Sequence, residues 1–224
     1  MAKTIAIIPA RGGSKRLPNK NILSLNQIPL IAYSIKYALK HNFIDQVYVT
    51  TNCPQIKEVA LAYGAQVINR PEHLSGDIEP TASALSHVLN SINYPVKNVI
   101  LLQATNPLRP VNLLTEAFDI FINKELDSLF TVSRNESKLG KINNDIFIPF
   151  NYKIGQRSQD LEPLYYENGL LYITQAKHII NNTIITNNAF PFIENSIYSK
   201  IDIDYLEDFE YAEYVIQKQN YTLE

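Results

Sequence analysis

Apolar, β-branched runs at 4–8, 46–51, 65–68 and 98–102 alternate in this chain with segments of helical periodicity at 29–41, 54–63, 79–92 and 111–123. Parallel strands joined through a helix need a crossover, so such a series implies a mostly parallel sheet with helices on both faces. The helical segments rest on spacing: Ala82, Leu85, Leu89 and Ile92 share one face, as do Leu114, Ala117, Phe118 and Phe121. Pro54 and Pro80 sit near helix starts, where a missing N–H costs little. Further strands are expected at 128–133, 170–174 and Ile201–Ile203, with a closing helix at about 206–218. Residues 1–224 read as a single α/β domain, long enough to bury a substantial core. The stretch 134–166 breaks the pattern: it is polar, Asn-rich and weakly periodic. A structureless loop of that length is rare inside a compact domain, so this segment reads as a protruding oligomerisation element.

The first strand runs into Ala10-Arg11-Gly12-Gly13-Ser14-Lys15-Arg16-Leu17-Pro18-Asn19-Lys20-Asn21, where cations surround two adjacent glycines. Glycine lets backbone N–H groups approach a ligand, and Arg and Lys donate charge-assisted hydrogen bonds to phosphate oxygens. The loop matches neither the P-loop spacing nor GxGxxG, yet it follows a strand at the end where open α/β sheets bind ligands. No Asp or Glu precedes Asp45, so nothing near in sequence neutralises it. The net charge is −2 and the pI is near 6.1, which argues against a general nucleic-acid or membrane-surface binder and makes a small anion the expected partner. Cys53, the single cysteine, allows no internal disulfide. With no signal-peptide pattern and no apolar run long enough for a bilayer, the cytoplasm is the expected compartment.

Three further constellations carry chemistry. In Ile201-Asp202-Ile203-Asp204 an extended backbone would turn both carboxylates one way and both isoleucines the other. Such a pair suits Mg²⁺, which takes one or two carboxylates and completes its shell with water and phosphate oxygens. The same residues also read as Asp204 capping the next helix, with Glu207, Asp208 and Glu210 complementing its dipole. Leu101-Leu102-Gln103-Ala104-Thr105-Asn106-Pro107-Leu108-Arg109 sets polar groups just past a buried strand, and Gln103 offers both a donor and an acceptor. The Thr, Asn and Pro there also suit a plain turn. Arg157, within Gln156–Asp160, could grip a carboxylate bidentately or simply be solvated, and Glu167-Asn168-Gly169 lies beyond Tyr165 and Tyr166. His41, His73, His87 and His178 lack ligand spacing, and Cys53 reads as a small buried thiol.

Taken together, Ile7 through Lys15 with Leu17-Pro18-Asn19-Lys20-Asn21, Leu102 through Arg109, Asn168-Gly169 and Asp202-Ile203-Asp204 resemble the acylneuraminate cytidylyltransferases, the CMP-sialic acid synthetases, along nearly the whole chain. The resemblance implies a nucleotide-diphospho-sugar transferase-like, Rossmann-type three-layer sandwich. It implies CTP as co-substrate, Mg²⁺ as cofactor, and a homodimer in which 134–166 completes the neighbour's sugar site. By the same resemblance Arg11 and Lys20 would bind the triphosphate, with Ala10, Gly12, Gly13, Ser14 and Asn21 shaping the pocket. Arg70 and Ser83 would serve the nucleotide, and Asp202 and Asp204 would hold Mg²⁺. Gln103, Thr105, Arg157 and Asn168 would line the sugar side, Arg157 from the partner subunit. Within the loop, Lys15 is expected beside the phosphate cations and Arg16 is expected to be solvated.

Asn52 stands where the family usually has Asp, and Ala104 where Pro is usual. Gly13-Ser14-Lys15-Arg16 is closer to the pseudaminic acid branch than to the Gly-Ser-Lys-Gly of sialic acid enzymes. CMP-Kdo synthetases would want Pro-Gly-Lys where Pro18-Asn19-Lys20 stands. The implied reaction is attack by the anomeric hydroxyl of a nine-carbon 2-keto sugar acid on the α-phosphorus of CTP, releasing pyrophosphate. Arg11, Lys20 and Asp202 would carry it, Asp202 as base or as ligand. A nucleotide-binding regulatory protein on the same fold is the alternative of a different class.

Overall fold

A computed structural model describes residues 2–223. In chain order it contains β1 (Lys3–Pro9), the small hairpin β2 (Ser24–Leu25) and β3 (Ile28–Pro29), α1 (Leu30–Leu39), β4 (Gln46–Thr51), α2 (Pro54–Ala62), β5 (Gln66–Asn69), α3 (Thr81–Ser91), β6 (Val96–Leu101) and α4 (Leu113–Asn123). There follow β7 (Ser128–Asn135), the hairpin β8 (Gly140–Asn143) and β9 (Ile146–Pro149), β10 (Leu164–Gln175), α5 (Ala176–Ile180), β11 (Phe190–Ile193) and α6 (Leu206–Gln219). Seven strands form one sheet in the order β11-β7-β10-β6-β1-β4-β5. Only β10 runs against its neighbours, so the sheet is mostly parallel, as the alternating pattern requires.

Helices cover both faces, giving the expected three layers. Ala6 and Ile8 pack with Ile31, Ile56, Leu114 and Phe121 from α1, α2 and α4. Their neighbours Ile5 and Ile7 point the other way, onto Leu85 and Val88 of α3 and Ile179 of α5, because successive strand residues face opposite sides. A third cluster packs α6, through Phe209, Ala212 and Val215, on Leu25, Leu30, Ile201 and Ile203.

Two sequence expectations are corrected. Ile201–Ile203 is extended but joins no ladder; its alternation survives because Ile203 N–H donates to the Thr105 carbonyl at 2.8 Å while Ile201 and Ile203 are buried and Asp202 is exposed. The strand expected at 170–174 begins six residues earlier, at Leu164, and its pairing with β7 slips between Glu167 and Tyr172. Residues 134–166 hold the end of β7, the β8–β9 hairpin, a short turn of helix at Ser158–Asp160 and the start of β10. The two-residue turn at Asn144-Asp145 has positive φ at both positions, the geometry that closes tight hairpins.

Candidate active site

The chain leaves β1 toward β4 and β5 on one side and then crosses to β6 on the other, so the carboxyl ends of β1 and β6 diverge. There lies a cleft of about 460 Å³ whose wall includes Arg11, Ser14, Lys20, Gln103, Thr105 and Asp204. It brings the basic loop, the segment after β6 and Asp204 into one place. Gln103 and Asp202 then border a second cleft of about 430 Å³, with Asn168, Tyr172 and Lys200.

Each loop cation meets a carboxylate from far along the chain. Arg11 pairs with Asp77 at 2.7 Å and donates to the Ser75 carbonyl at 3.3 Å, and Lys15 pairs with the same Asp77. Arg16, expected to be solvated, instead pairs with Asp204 at 2.5 Å and lies over the Tyr205 ring. Its head group remains largely exposed, so this pair adds little stability. Lys20 is buried; its Nζ donates to the Ile203 carbonyl at 2.7 Å and to Asp204 Oδ1 at 2.8 Å. An ammonium has three donors, so one remains for a ligand. Asn21, also buried, donates to the Arg11 carbonyl at 3.1 Å and so braces the loop from behind, while Ala10 donates to the Thr50 carbonyl. Asn19 adopts φ 55, in the left-handed region that Asn and Gly tolerate best, which turns the chain into Lys20.

Asp202 and Asp204, separated by the buried Ile203, border different clefts and have different surroundings. Loss of hydration pushes the Asp202 carboxyl up, the Thr105 hydroxyl opposes this, and the negative Asp204 adds to the rise. Partial burial also works to raise Asp204, yet Lys20 and Arg16 hold it below the ordinary carboxylate range. The capping role is not Asp204's: Asp208 accepts the N–H groups of Asp204 and Tyr205 at 2.9 and 2.8 Å. Hard oxygen donors are the set Mg²⁺ prefers, and among the described residues no group of three or more His, Cys, Asp or Glu offers a fuller metal cage. The pair therefore fits an ion that takes its remaining ligands from water and phosphate.

Arg109, to which the sequence assigns no role, proves to be the organiser of the Gln103–Arg109 segment. It is fully buried without an acidic partner, and burial lowers its pKa to about 10. Its guanidinium donates to the Leu170 carbonyl at 2.7 Å, the Gln103 carbonyl at 2.9 Å and Ser34 Oγ at 3.0 Å. Arg109→Met takes away the donor to the Leu170 carbonyl and leaves the Gln103 carbonyl with the Ser34 hydroxyl alone, at 3.1 Å, and is expected to cost about 3 kcal/mol or more in urea denaturation. A loss below about 1 kcal/mol would show that water replaces the guanidinium.

On the second cleft, Asn168 is buried and fully used: Nδ2 donates to Ser133 Oγ at 2.9 Å, while Oδ1 accepts from Thr131 at 2.6 Å and from Leu170 N–H at 3.2 Å. It therefore shapes the wall more than it offers free polar atoms. Gly169 sits at φ 78 inside the strand slippage, and a Cβ there would lie 2.8 Å from Asn106 Oδ1. Gly169→Ala is expected to cost about 2 kcal/mol, read as a lower urea midpoint; an unchanged midpoint would show that Asn106 moves aside. Tyr172 donates to Glu167 at 2.5 Å and lies 3.4 Å from the Gln103 amide; burial and then Glu167 raise its pKa.

Other expected site residues stand apart. Arg70 is buried, donates to the Thr50 carbonyl at 2.5 Å and leaves Nε unpartnered; burial and Arg11 lower its pKa to about 10. Ser83 spends its hydroxyl on the Pro80 carbonyl at 2.8 Å and borders neither cleft, whereas Thr81 borders the first. Arg157 is exposed and clasps Asp160 bidentately at 2.7 and 3.0 Å, outside the clefts of its own chain. Asp77 carries no local sequence signal because its partners Arg11 and Lys15 lie far back in the chain.

A basic loop and an acidic pair meeting at the switch point of this sheet define a nucleotidyltransferase-type α/β enzyme. The family model described as cytidylyltransferase matches residues 5–224, and the chain belongs to that family. It is similar to a pseudaminic acid cytidylyltransferase of Campylobacter jejuni subsp. jejuni, 33% identical over 98% of each chain. It is also similar to a CMP-N,N'-diacetyllegionaminic acid synthase of Legionella pneumophila, 34% identical over 90% of this chain and 91% of the relative. Among solved structures, CMP:2-keto-3-deoxy-manno-octonic acid synthetase complexed with CTP superposes with a TM-score of 0.75 over 97% of this chain and all of that one. At 17% identity that likeness establishes the fold.

Proposed function

We propose that this enzyme transfers CMP from CTP to the anomeric hydroxyl of a nonulosonic acid of the pseudaminic, legionaminic and neuraminic kind, releasing pyrophosphate. The observation that carries the reading is the pair of clefts joined at Gln103, cationic toward the loop and neutral to acidic toward Asp202. Arg11, Lys15 and Lys20 bind and orient the triphosphate, which supplies most of what an in-line phosphoryl transfer needs. Asp202 faces the acceptor side and takes the proton of the attacking hydroxyl, or orients the group that does. Mg²⁺ held by Asp202 and Asp204 would offset charge on the phosphoryl oxygens when bound. Gln103 spans both substrates and fixes their approach.

The test is pyrophosphate release with CTP and Mg²⁺ against pseudaminic, legionaminic, N-acetylneuraminic and Kdo acids. Turnover of a nonulosonic acid is expected. Turnover of Kdo alone would replace the reading by its eight-carbon relative, and CTP binding without turnover would favour a regulatory protein. No helix among the described residues is long and apolar enough to cross a membrane; with one half-buried cysteine, a reducing compartment such as the cytoplasm suits the chain.

The working form is a homodimer. The β8–β9 hairpin pairs with no strand of the main sheet, yet Ile142, Ile146, Phe147 and Phe150 on or beside it are 77, 65, 50 and 66% exposed. A lone two-stranded hairpin is marginally stable, and apolar residues clustered in this way require cover. A second copy supplies it and lets Arg157 reach the neighbour's acceptor cleft. Ile146→Asp with Phe147→Ser is expected to shift the mass in light scattering from dimer to monomer; an unchanged mass would place the interface elsewhere.

A further inference from the structure

Asn52, directly after β4, uses both ends of its amide. Oδ1 accepts the Gly12 N–H at 3.0 Å, and Nδ2 donates to the two Glu72 oxygens at 3.2 and 3.1 Å. These partners fix the orientation of the amide, since a backbone N–H only donates and a carboxylate only accepts. Gly12 follows β1, and Glu72 opens a short turn after β5. Those are the two strands flanking β4, so one side chain ties together the loops on either side of it. Past Glu72, the same loop supplies the Ser75 carbonyl and the Asp77 carboxylate that hold Arg11. The glycine loop has little slack here, because a Cβ on Gly12 would lie 3.0 Å from the Cys53 Cβ. With the Gly12 N–H committed to Asn52, the N–H groups of Gly13 and Ser14 are left without a protein acceptor among the described residues.

We propose that Asn52 is a positioning residue for the nucleotide: by gripping Gly12 and Glu72 at once, it sets the glycine loop and Arg11 in register for a polyphosphate. This rests on the reading of the cleft as a CTP site. An amide is required because Glu72 lies opposite. A carboxylate at this position would still accept from Gly12 but would face a second carboxylate at hydrogen-bond distance, and like charges that close repel.

A double-mutant cycle tests the pairing. Asn52→Asp is expected to weaken CTP binding in titration calorimetry about tenfold, with the kinetic loss falling on KM for CTP rather than on kcat. Glu72→Gln alone keeps an acceptor for the Asn52 amide and is expected to stay within about twofold. In the double variant the new carboxylate accepts from both Gly12 and the new glutamine amide, and affinity is expected to return to within about threefold of wild type. A merely structural role would lower the melting temperature without this reversal. Wild-type affinity in Asn52→Asp, or a double variant no better than Asn52→Asp, would overturn the proposal. The cycle is repeated with inorganic triphosphate, read as a melting-temperature shift. If wild type binds triphosphate but not CTP, the CTP reading fails while the coupling is still measured. If it binds neither, the proposal fails as well.

Discussion

Asp202→Asn is expected to lower kcat by about a thousandfold, within the range that removal of a general base or an oriented charge commonly costs. The substitution keeps the shape and removes the negative charge and the proton-accepting power. Its fold cost is small, since the side chain is exposed and the segment is anchored by Ile201, Ile203 and the Ile203 bond to Thr105. CTP binding should survive, because the loop cations lie on the other cleft wall. The measurement is steady-state pyrophosphate release alongside calorimetric CTP affinity and a melting curve. A kcat within about tenfold of wild type would remove Asp202 from the chemistry.

Lys20→Met is the second large effect, and it differs in kind. Lys20 is buried and holds the Ile203 carbonyl and Asp204 together, so its loss touches both the proposed triphosphate contact and the architecture. A fall in kcat/KM of about a hundredfold or more is expected from the missing phosphate cation. About 2 kcal/mol of stability is expected to go with it, from a buried carbonyl left unpaired. Lys20→Arg should not restore activity, because a planar fork does not fit where a compact ammonium points at two oxygens on a crowded floor. Full activity in the arginine variant would show that charge alone suffices.

The parallel half of the sheet was legible because its strands are buried on both faces and its helices are amphipathic, so period and composition agree. The acidic pair was legible for the same reason, since Ile201 and Ile203 announce an extended run even without a partner strand. The start of β10 was not, because Tyr165-Tyr166-Glu167 runs into Asn168-Gly169, which reads as a turn although it is an irregular stretch within one strand. The β8–β9 hairpin did leave a signal: Asn143-Asn144-Asp145 between apolar runs marks a tight turn. At the site, residue types were readable but pairings were not. Arg11 meets Asp77, and Lys20 meets Asp204, across stretches of chain that no local pattern connects.

The order of synthesis gives β10 a further importance. It is inserted between β6 and β7, while both neighbours of β7, β10 and β11, are made after it. A growing chain that has just completed β7 therefore carries open edges on β6 and β7, with Leu129 and Val132 still to be covered. Unpaired edges of that kind invite association with other chains. The β6-β1-β4-β5 half of the sheet can form first, whereas the wall of the second cleft at Glu167–Gly169 arises only when β10 closes the gap. Chains truncated before Leu164 should accordingly be prone to aggregate, so the strand threaded between two earlier ones also protects the nascent protein.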